Sequence, residues 1–340
     1  MATYNLCILG FGNVGRALAR HLLAKTPELR GRYGIEWRLT GVATRRLGWL
    51  ADARGLDVAA LLAGDLPAAP QALSNVREWL AAARADVLFE LTSLNPQTGQ
   101  PAIDHIRAAL EYGAHAITAN KGTVVHGYHE LLALAQAKGR RYLFEATMMA
   151  GAPLFSLFRD TLPAVKLLRF RGILNSTTNL IIAEMEQGRS FDEAVKKAQE
   201  IGIAETDPAA DIDGWDAAVK VCEIATVLMD TPLKLEEVSR EGMRGLSAAM
   251  VQQARAAGRP FKYVQQVERV NGGVVASVGP QQLALDDPLM AASPSSLLAH
   301  LEMDMIPGLT INLHIPASGT AGPDVTAYDV LADFIRAVAL

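Results

Sequence analysis

The sequence predicts an α/β protein: a parallel sheet built from βαβ units, an inserted α+β domain, and a final helix returning to the first domain. Three observations predict it. Apolar strand-like runs alternate with Ala- and Leu-rich helical segments as far as Glu145, the order of a parallel sheet with crossover helices. Past Ala150 the pattern changes to half-exposed strands and amphipathic helices, as in an antiparallel or mixed sheet. The chain ends on one more amphipathic helix pattern, Val325 to Leu340.

The elements follow in order. Tyr4 to Leu9 is a buried strand, then a glycine turn, then a helix from Asn13 to Ala24 rich in Ala, Leu and Arg. Trp37 to Ala43 is a second strand, and Asp86 to Leu91 a third that ends in the polar turn Thr92-Ser93-Leu94-Asn95-Pro96. Between them, Ala63 to Asn75 is a Pro-, Ala- and Leu-rich connector. A helix over Ala102 to Tyr112, a strand His115 to Thr118, a helix Tyr128 to Ala137 and a strand Arg141 to Glu145 complete the first domain. Beyond it, Val165 to Leu174 alternates as a strand, and helices are predicted at Asn179 to Gln187, Phe191 to Ile201, Gly214 to Met229 and Ser247 to Ala257. Tyr263 to Val270 and Val274 to Val278 flank Asn271-Gly272-Gly273, a hairpin signal. The expected domains are 1–145, 146–318 and a returning segment 319–340.

Composition excludes several function classes. The chain has 340 residues, room for roughly two domains at about 150 residues each. Lys plus Arg number 32 and Asp plus Glu 36, a net charge of −4, so no basic surface points to nucleic acid or an anionic membrane. The uncharged stretch Met305 to Pro323 contains Pro307, Gly308, Asn312, Pro316 and Gly319, which is wrong for a bilayer span. No basic segment precedes the first apolar run, so no secretory signal is expected. Two cysteines, Cys7 and Cys222, cannot build a disulfide framework or a zinc site. A reduced, cytoplasmic protein is expected.

Gly10-Phe11-Gly12-Asn13-Val14-Gly15 fits G-x-G-x-x-G, follows a strand and opens a helix. In that context the glycines let the backbone turn tightly and approach a pyrophosphate seated on the helix N-terminus, so the first domain is expected to be Rossmann-type. An acid for the adenosine ribose is expected about twenty residues further on. The sequence there reads Val42-Ala43-Thr44-Arg45-Arg46, with no carboxylate. Arg45 and Arg46 suit a 2′-phosphate, so NADP(H) is expected over NAD(H). The plainer reading is two solvated arginines at a helix start.

Lys121 stands just past the strand His115 to Thr118, at the carboxyl edge where open α/β sheets bind ligands, and can stabilise negative charge on a substrate oxygen. Further on, Glu205, Asp207, Asp211 and Asp213 lead into Trp215-Asp216-Ala217-Ala218-Val219-Lys220. Asp216 and Lys220 are four apart on one helix face. On the surface such a pair is worth only a few tenths of a kcal/mol. The apolar flanks Ala217, Ala218, Val219, Val221 and Ile224 bury it instead, and a buried Lys–Asp pair can give or take a proton. The remaining carboxylates suit a substrate bearing an ammonium group.

Taken together, GFGNVG at 10–15, TANKG at 118–122, FEATMMAGAP at 144–153, GILNSTTN at 172–179 and AETDPAADIDGWDAAVK at 204–220 resemble homoserine dehydrogenase, in order and separation, across essentially the whole chain. The resemblance is to the short, catalytic-only form. It implies NAD(P)-dependent interconversion of L-homoserine and L-aspartate 4-semialdehyde in threonine, methionine and isoleucine biosynthesis. It also implies Lys220 as the catalytic lysine with Asp216 its helix neighbour, and Lys121 bridging cofactor and substrate. The same resemblance implies that Glu205 holds the substrate ammonium, that Asp211 is a second substrate-side acid, that Thr92 and Ser93 lie over the nicotinamide ribose, and that Gly322 is a C-terminal glycine near the cofactor. A monovalent cation, usually sodium, is implied at Glu145 and the carbonyls of Met148, Ala150 and Ala152, and a homodimer through the inserted domain.

Two rivals can be weighed on the same residues. A semialdehyde dehydrogenase working through a thiohemiacetal needs a reactive cysteine beside a base, and neither Cys7 in a strand nor Cys222 in a helix stands at a polar turn. A non-catalytic NADP-sensing module of the same fold has no use for the set Glu205, Asp216 and Lys220.

Overall fold

The computed structural model describes residues 2–65, 72–314 and 321–339. The chain divides into two units, one of Met1–Gly151 with Pro323–Leu340, the other of Ala152–Gly322. Each unit combines helices with a six-stranded sheet, mostly parallel in the first and mostly antiparallel in the second, which makes the second α+β as expected.

In the first unit the strands are β1 (Ala2–Leu9), β2 (Ile35–Thr44), β3 (Gly48–Ala51), β4 (Val87–Glu90), β5 (His115–Thr118) and β6 (Tyr142–Leu143), in the order β3-β2-β1-β4-β5-β6. All neighbours are parallel except β3, which folds back antiparallel on β2. Helices cover both faces. Leu18 and Leu22 of α1 (Asn13–Tyr33) and Val330, Leu331 and Phe334 of α12 (Ala321–Ala339) share a core with Leu6 and Ile8 of β1. On the other face Trp79, Leu80 and Ala83 of α3 (Val76–Ala83) and Ala108 and Ala109 of α4 (Ala102–Tyr112) pack on Cys7 and Leu88. The returning helix is thus part of the first core, as expected. Strand order reverses direction about β1, so β2 and β4 flank the glycine turn, the place where such sheets hold ligands.

Some boundaries differ from the expected ones. The helix read as Asn13 to Ala24 runs to Tyr33, through Pro27. The bond that Pro27 cannot donate would go to Leu23, which is exposed and so can bond water. Helix α5 (Lys121–Ala137) starts at Lys121, not at Tyr128. The strand expected to reach Glu145 ends at Leu143, and Glu145–Thr147 is a 3-10 turn. Residues 66–71 of the connector, residues 315–318 of the second domain, and Gly319, Thr320 and Leu340 of the returning segment lie outside the described residues.

In the second unit β7 (Leu167–Ile173), β8 (Ser239–Arg240), β9 (Phe261–Val270), β10 (Gly273–Gln282), β11 (Ser296–Met303) and β12 (Leu309–His314) take the order β12-β11-β7-β9-β10-β8. Pairing is antiparallel except between β10 and β8. The predicted hairpin is β9–β10, turning at Asn271 and Gly272, both with positive φ. Helices α7 (Ser176–Glu186), α8 (Phe191–Glu200), α10 (Trp215–Leu228) and α11 (Ala248–Ala256) complete the unit, α10 with its residues from Ala217 to Thr226 all buried.

Candidate active site

The glycine turn leaves β1 at Leu9 and enters α1 at Asn13. Two of its glycines are required by the protein itself. Gly10 has φ +101°, and a Cβ there would collide with the Leu91 carbonyl; a Cβ on Gly15 would collide with the Gly10 carbonyl. Gly12 is different: it is exposed, and a Cβ there would meet nothing within 4 Å. No neighbour among the described residues demands glycine at 12, and the backbone at this N-cap of α1 is open on its outer side. No side chain caps the N-terminus of α1 and no acidic residue sits in its first turn, leaving its N–H groups to an anion. Asn13 is exposed, while Phe11 and Val14 pack against the core.

A cavity of about 1080 Å³ opens on this turn. Gly10, Phe11, Gly12 and Arg16 line one side, Thr44, Arg45, Arg46 and Trp49 another, and Leu91, Thr92, Ser93 and His105 a third. Arg45 and Arg46 follow the end of β2, both exposed, and neither guanidinium enters an ion pair among the described residues. Lys121 is half-buried at the first position of α5, where Asn120 caps the helix by accepting from the Gly122 N–H at 3.1 Å.

In the second unit the carboxylates and the lysine converge. The Lys220 ammonium donates to the Leu174 carbonyl at 2.5 Å and pairs with Asp216 at 2.8 Å, with Lys220 only 8% exposed. Asn175 follows Leu174, and its side-chain amide donates to Asp211 at 2.7 Å and to Asp216 at 3.2 Å. Its side-chain oxygen accepts from the Thr178 N–H at 3.0 Å and caps α7. Burial, with the neighbouring Asp216 charge second, pushes the Asp211 carboxyl above its ordinary value. Glu205 is exposed on the loop before α9 (Ala209–Ile212), with no partner for its carboxylate among the described residues. Gln199 holds that loop by donating to the Glu205 and Thr206 carbonyls at 3.3 and 3.0 Å. Asn175 escaped the sequence reading: it stands in the GILNSTTN motif as a helix-cap residue, and nothing in its spacing announces two carboxylate partners.

Glu145 is buried in the 3-10 turn that follows β6, and Met148 and Ala150 lie in the irregular backbone after it. Two carboxylates of α12 fasten this segment: Asp333 accepts from the Glu145 N–H at 2.8 Å and Asp329 from the Gly151 N–H at 2.7 Å. Ala152 opens the second unit, its carbonyl accepting from the Leu154 N–H at 2.8 Å. Among the described residues no three His, Cys, Asp or Glu side chains are grouped to hold a metal ion. One carboxylate with main-chain carbonyls is a hard-oxygen set of low charge, which fits a monovalent cation. Gly322 is exposed in the first turn of α12. Both cysteines are buried, and burial pushes each thiol up to about 12, so neither is a thiolate nucleophile.

Backbone room for a pyrophosphate at a sheet edge, and a protonatable side chain locked among carboxylates, are what a dinucleotide-dependent oxidoreductase requires of its protein. The NAD-binding domain profile of homoserine dehydrogenase matches residues 10–145, and the homoserine dehydrogenase profile matches residues 153–335. The chain belongs to the homoserine dehydrogenase family, NAD(P)-dependent oxidoreductases that interconvert L-homoserine and L-aspartate 4-semialdehyde. It is 33% identical over 346 residues to the NAD(+)-dependent homoserine dehydrogenase of Pseudomonas canavaninivorans, covering 99% of this chain and 96% of the relative. The homoserine dehydrogenase structure from Thiobacillus denitrificans superposes with a TM-score of 0.83 at 29% identity, over 100% of this chain and 74% of that one. A hyperthermophilic archaeal homoserine dehydrogenase mutant in complex with NADPH gives 0.81 at 27% identity, over 99% and 98%. No helix among the described residues is long and apolar enough to cross a membrane.

Proposed function

We propose that Lys220 is the proton-transfer group of this homoserine dehydrogenase, with Asp216 holding it in place. The observation that carries this is the burial of Lys220 with its ammonium fixed between the Leu174 carbonyl and Asp216. In the reductive direction that ammonium supplies the proton to the alkoxide formed from the semialdehyde; in the oxidative direction the amine takes the homoserine hydroxyl proton. The bound nicotinamide supplies and receives the hydride. Glu205, with its carboxylate unengaged among the described residues, binds the substrate ammonium, and Asp211 is a second substrate-side acid. Lys121 stabilises negative charge on the substrate oxygen. The assay is NADPH oxidation with aspartate semialdehyde beside simple aldehydes: turnover confined to the semialdehyde supports these roles, and equal rates with simple aldehydes overturn them. Binding without turnover would instead favour an NADP-sensing module.

We further propose that the cofactor lies over Gly10, Phe11, Gly12, Asn13, Val14 and Gly15, reaches Thr92, Ser93 and Lys121, and ends near Gly322. NADP(H) is preferred over NAD(H), because Arg45 and Arg46 are unengaged where a ribose-binding acid would otherwise stand. The relative named NAD(+)-dependent makes the comparison of the two cofactors the deciding measurement, and a higher kcat/KM with NAD refutes the preference. A sodium ion is proposed at Glu145, Met148, Ala150 and Ala152. A homodimer is proposed through the sheet of 146–318, where the cross-strand neighbours Glu302, Arg169, Glu268 and Val275 share one face with Val275 58% exposed. The mass of a single chain by light scattering would refute it. With 1–145 and 319–340 as the nucleotide domain, a cytoplasmic enzyme drawing on soluble cofactor is the consistent setting.

A further inference from the structure

Glu90 is the last residue of β4 and is wholly buried in the middle of the sheet, opposite Leu9 of β1 and Thr118 of β5. Burying a carboxylate costs several kcal/mol unless it is well bonded, and an apolar residue there would serve the core as Phe89 does. Three side chains from three different segments bond it instead. Thr92 Oγ1 donates to Glu90 Oε1, Thr118 Oγ1 donates to the Glu90 carbonyl at 2.9 Å and lies 3.4 Å from Oε2, and His105 Nδ1 is 3.5 Å from Oε1. His105 in turn meets the Trp49 ring edge-on at 6.5 Å, and both line the nucleotide cavity.

The network continues to Lys121. Thr118 Oγ1 accepts from the Asn120 N–H at 2.9 Å, and the Asn120 amide donates to the carbonyls of Thr92 and Ser93 at 3.2 and 3.3 Å. The same Asn120 side chain caps α5, and the Asn120 main-chain carbonyl accepts from Thr123 Oγ1 at 2.8 Å. The hydroxyl and main chain of Thr92, the Ser93 carbonyl and the helix start that carries Lys121 are therefore fixed by one ring of bonds that closes on the buried Glu90.

We propose that Glu90 is a positioning residue for the cofactor: it sets the Thr92–Ser93 loop and the first turn of α5 against the nucleotide cavity without touching the reacting atoms. This rests on the reading of Thr92, Ser93 and Lys121 as cofactor-contacting residues. The test is steady-state kinetics of Glu90→Leu, Glu90→Gln and Thr118→Val, with Thr92→Val as a probe of the underlying reading. Glu90→Leu should raise the NADP KM at least tenfold and lower kcat, with the homoserine KM within twofold. Glu90→Gln, which still accepts from Thr92 and Thr118, should recover to within threefold of wild type. Thr118→Val removes the Asn120 arm and the Thr118 hydroxyl's own bonds to Glu90 but leaves the carboxylate and its bond from Thr92, and should fall between them. A merely structural role would lower the active fraction and leave both KM values alone, and that result overturns the proposal. If Glu90→Leu does not fold, Thr118→Val and Glu90→Gln decide: equal, wild-type NADP KM values for both refute it. A silent Thr92→Val would sink the loop reading itself, whereas an altered NADP KM in Thr92→Val beside an unaltered one in Glu90→Leu sinks only the positioning role.

Discussion

Replacing Lys220 by Met tests the chemistry and the packing of the second unit together, and the two effects separate by measurement. Methionine keeps most of the stem volume, so the cavity left is small, but the ammonium is lost. A positioned general acid contributes roughly 10²–10⁴ in rate, about 2.7–5.4 kcal/mol, and kcat with aspartate semialdehyde should fall by that factor. Stability should fall as well. Breaking a buried ion pair costs about 3–5 kcal/mol; here the Asp216 side chain keeps 19% exposure and the Asn175 amide at 3.2 Å, so the loss should lie at the lower end. NADPH binding, followed by cofactor fluorescence, should hardly change, because Lys220 lies outside the unit that carries the glycine turn. Adding Asp216→Asn to Lys220→Met removes the stranded charge, and should restore the melting temperature while leaving turnover collapsed. A Lys220→Met enzyme within threefold of wild type, about 0.7 kcal/mol, would rule out proton transfer by this lysine.

Three further outcomes are expected. Glu205→Gln should raise the homoserine KM by about 13–160-fold, the 1.5–3 kcal/mol range for hydrogen bonds to a charged group, with kcat held; an unchanged KM with a collapsed kcat would exchange its role with that of Lys220. Asp211→Asn should stabilise the fold increasingly as pH rises from about 4. Its folded carboxyl titrates above the unfolded one, so its stabilising contribution is present below the unfolded value and is lost as pH rises through the folded value; melting curves of both proteins at pH 4.5 and 7 check the sign, and a constant difference refutes the shift. Alkylation with iodoacetamide at neutral pH should leave activity intact, since both thiols are buried and protonated; rapid inactivation would reopen a thiohemiacetal mechanism.

Where local pattern and tertiary packing agree, the sequence can be read almost to the residue: Ala102–Tyr112 and His115–Thr118 are found at their expected bounds. Where packing overrules local preference, it cannot. The first turns of α5 contain Gly122, Thr123, Val124, Val125 and Gly127, a poor helix composition, so local pattern predicts the helix only from Tyr128. The glycines answer to neighbours in space: a Cβ on Gly122 would come within 2.8 Å of the Gly99 Cα, and one on Gly127 within 3.2 Å of Ile103. Strand β11 shows the converse case. Its Leu297-Leu298-Ala299-His300-Leu301-Glu302 favours a helix by composition, yet it pairs on both sides, with β7 and with β12.

The same distinction explains which parts of the site were legible. Lys220 and Asp216 are local to one another, four residues apart on a helix with apolar flanks, and spacing alone brings them to 2.8 Å. Asn175 reaches the same cluster from 36 and 41 residues away in the chain, and Glu90 binds Thr118 from 28; no periodicity links them. Both could have been suspected on another ground, the cost of a polar side chain at the end of an apolar strand. Glu90 ends Val87-Leu88-Phe89 and Asn175 follows Ile173-Leu174, each at a strand end in the interior of its unit. A polar group kept in such a place must be bonded or it destabilises the fold, and the partners it finds there are the other polar groups gathered at the same edge. In the open parallel sheet that carries Glu90, those are the residues at the edge where ligands bind. A strand-terminal carboxylate or amide in an otherwise apolar run is therefore a site signal in its own right, independent of any motif.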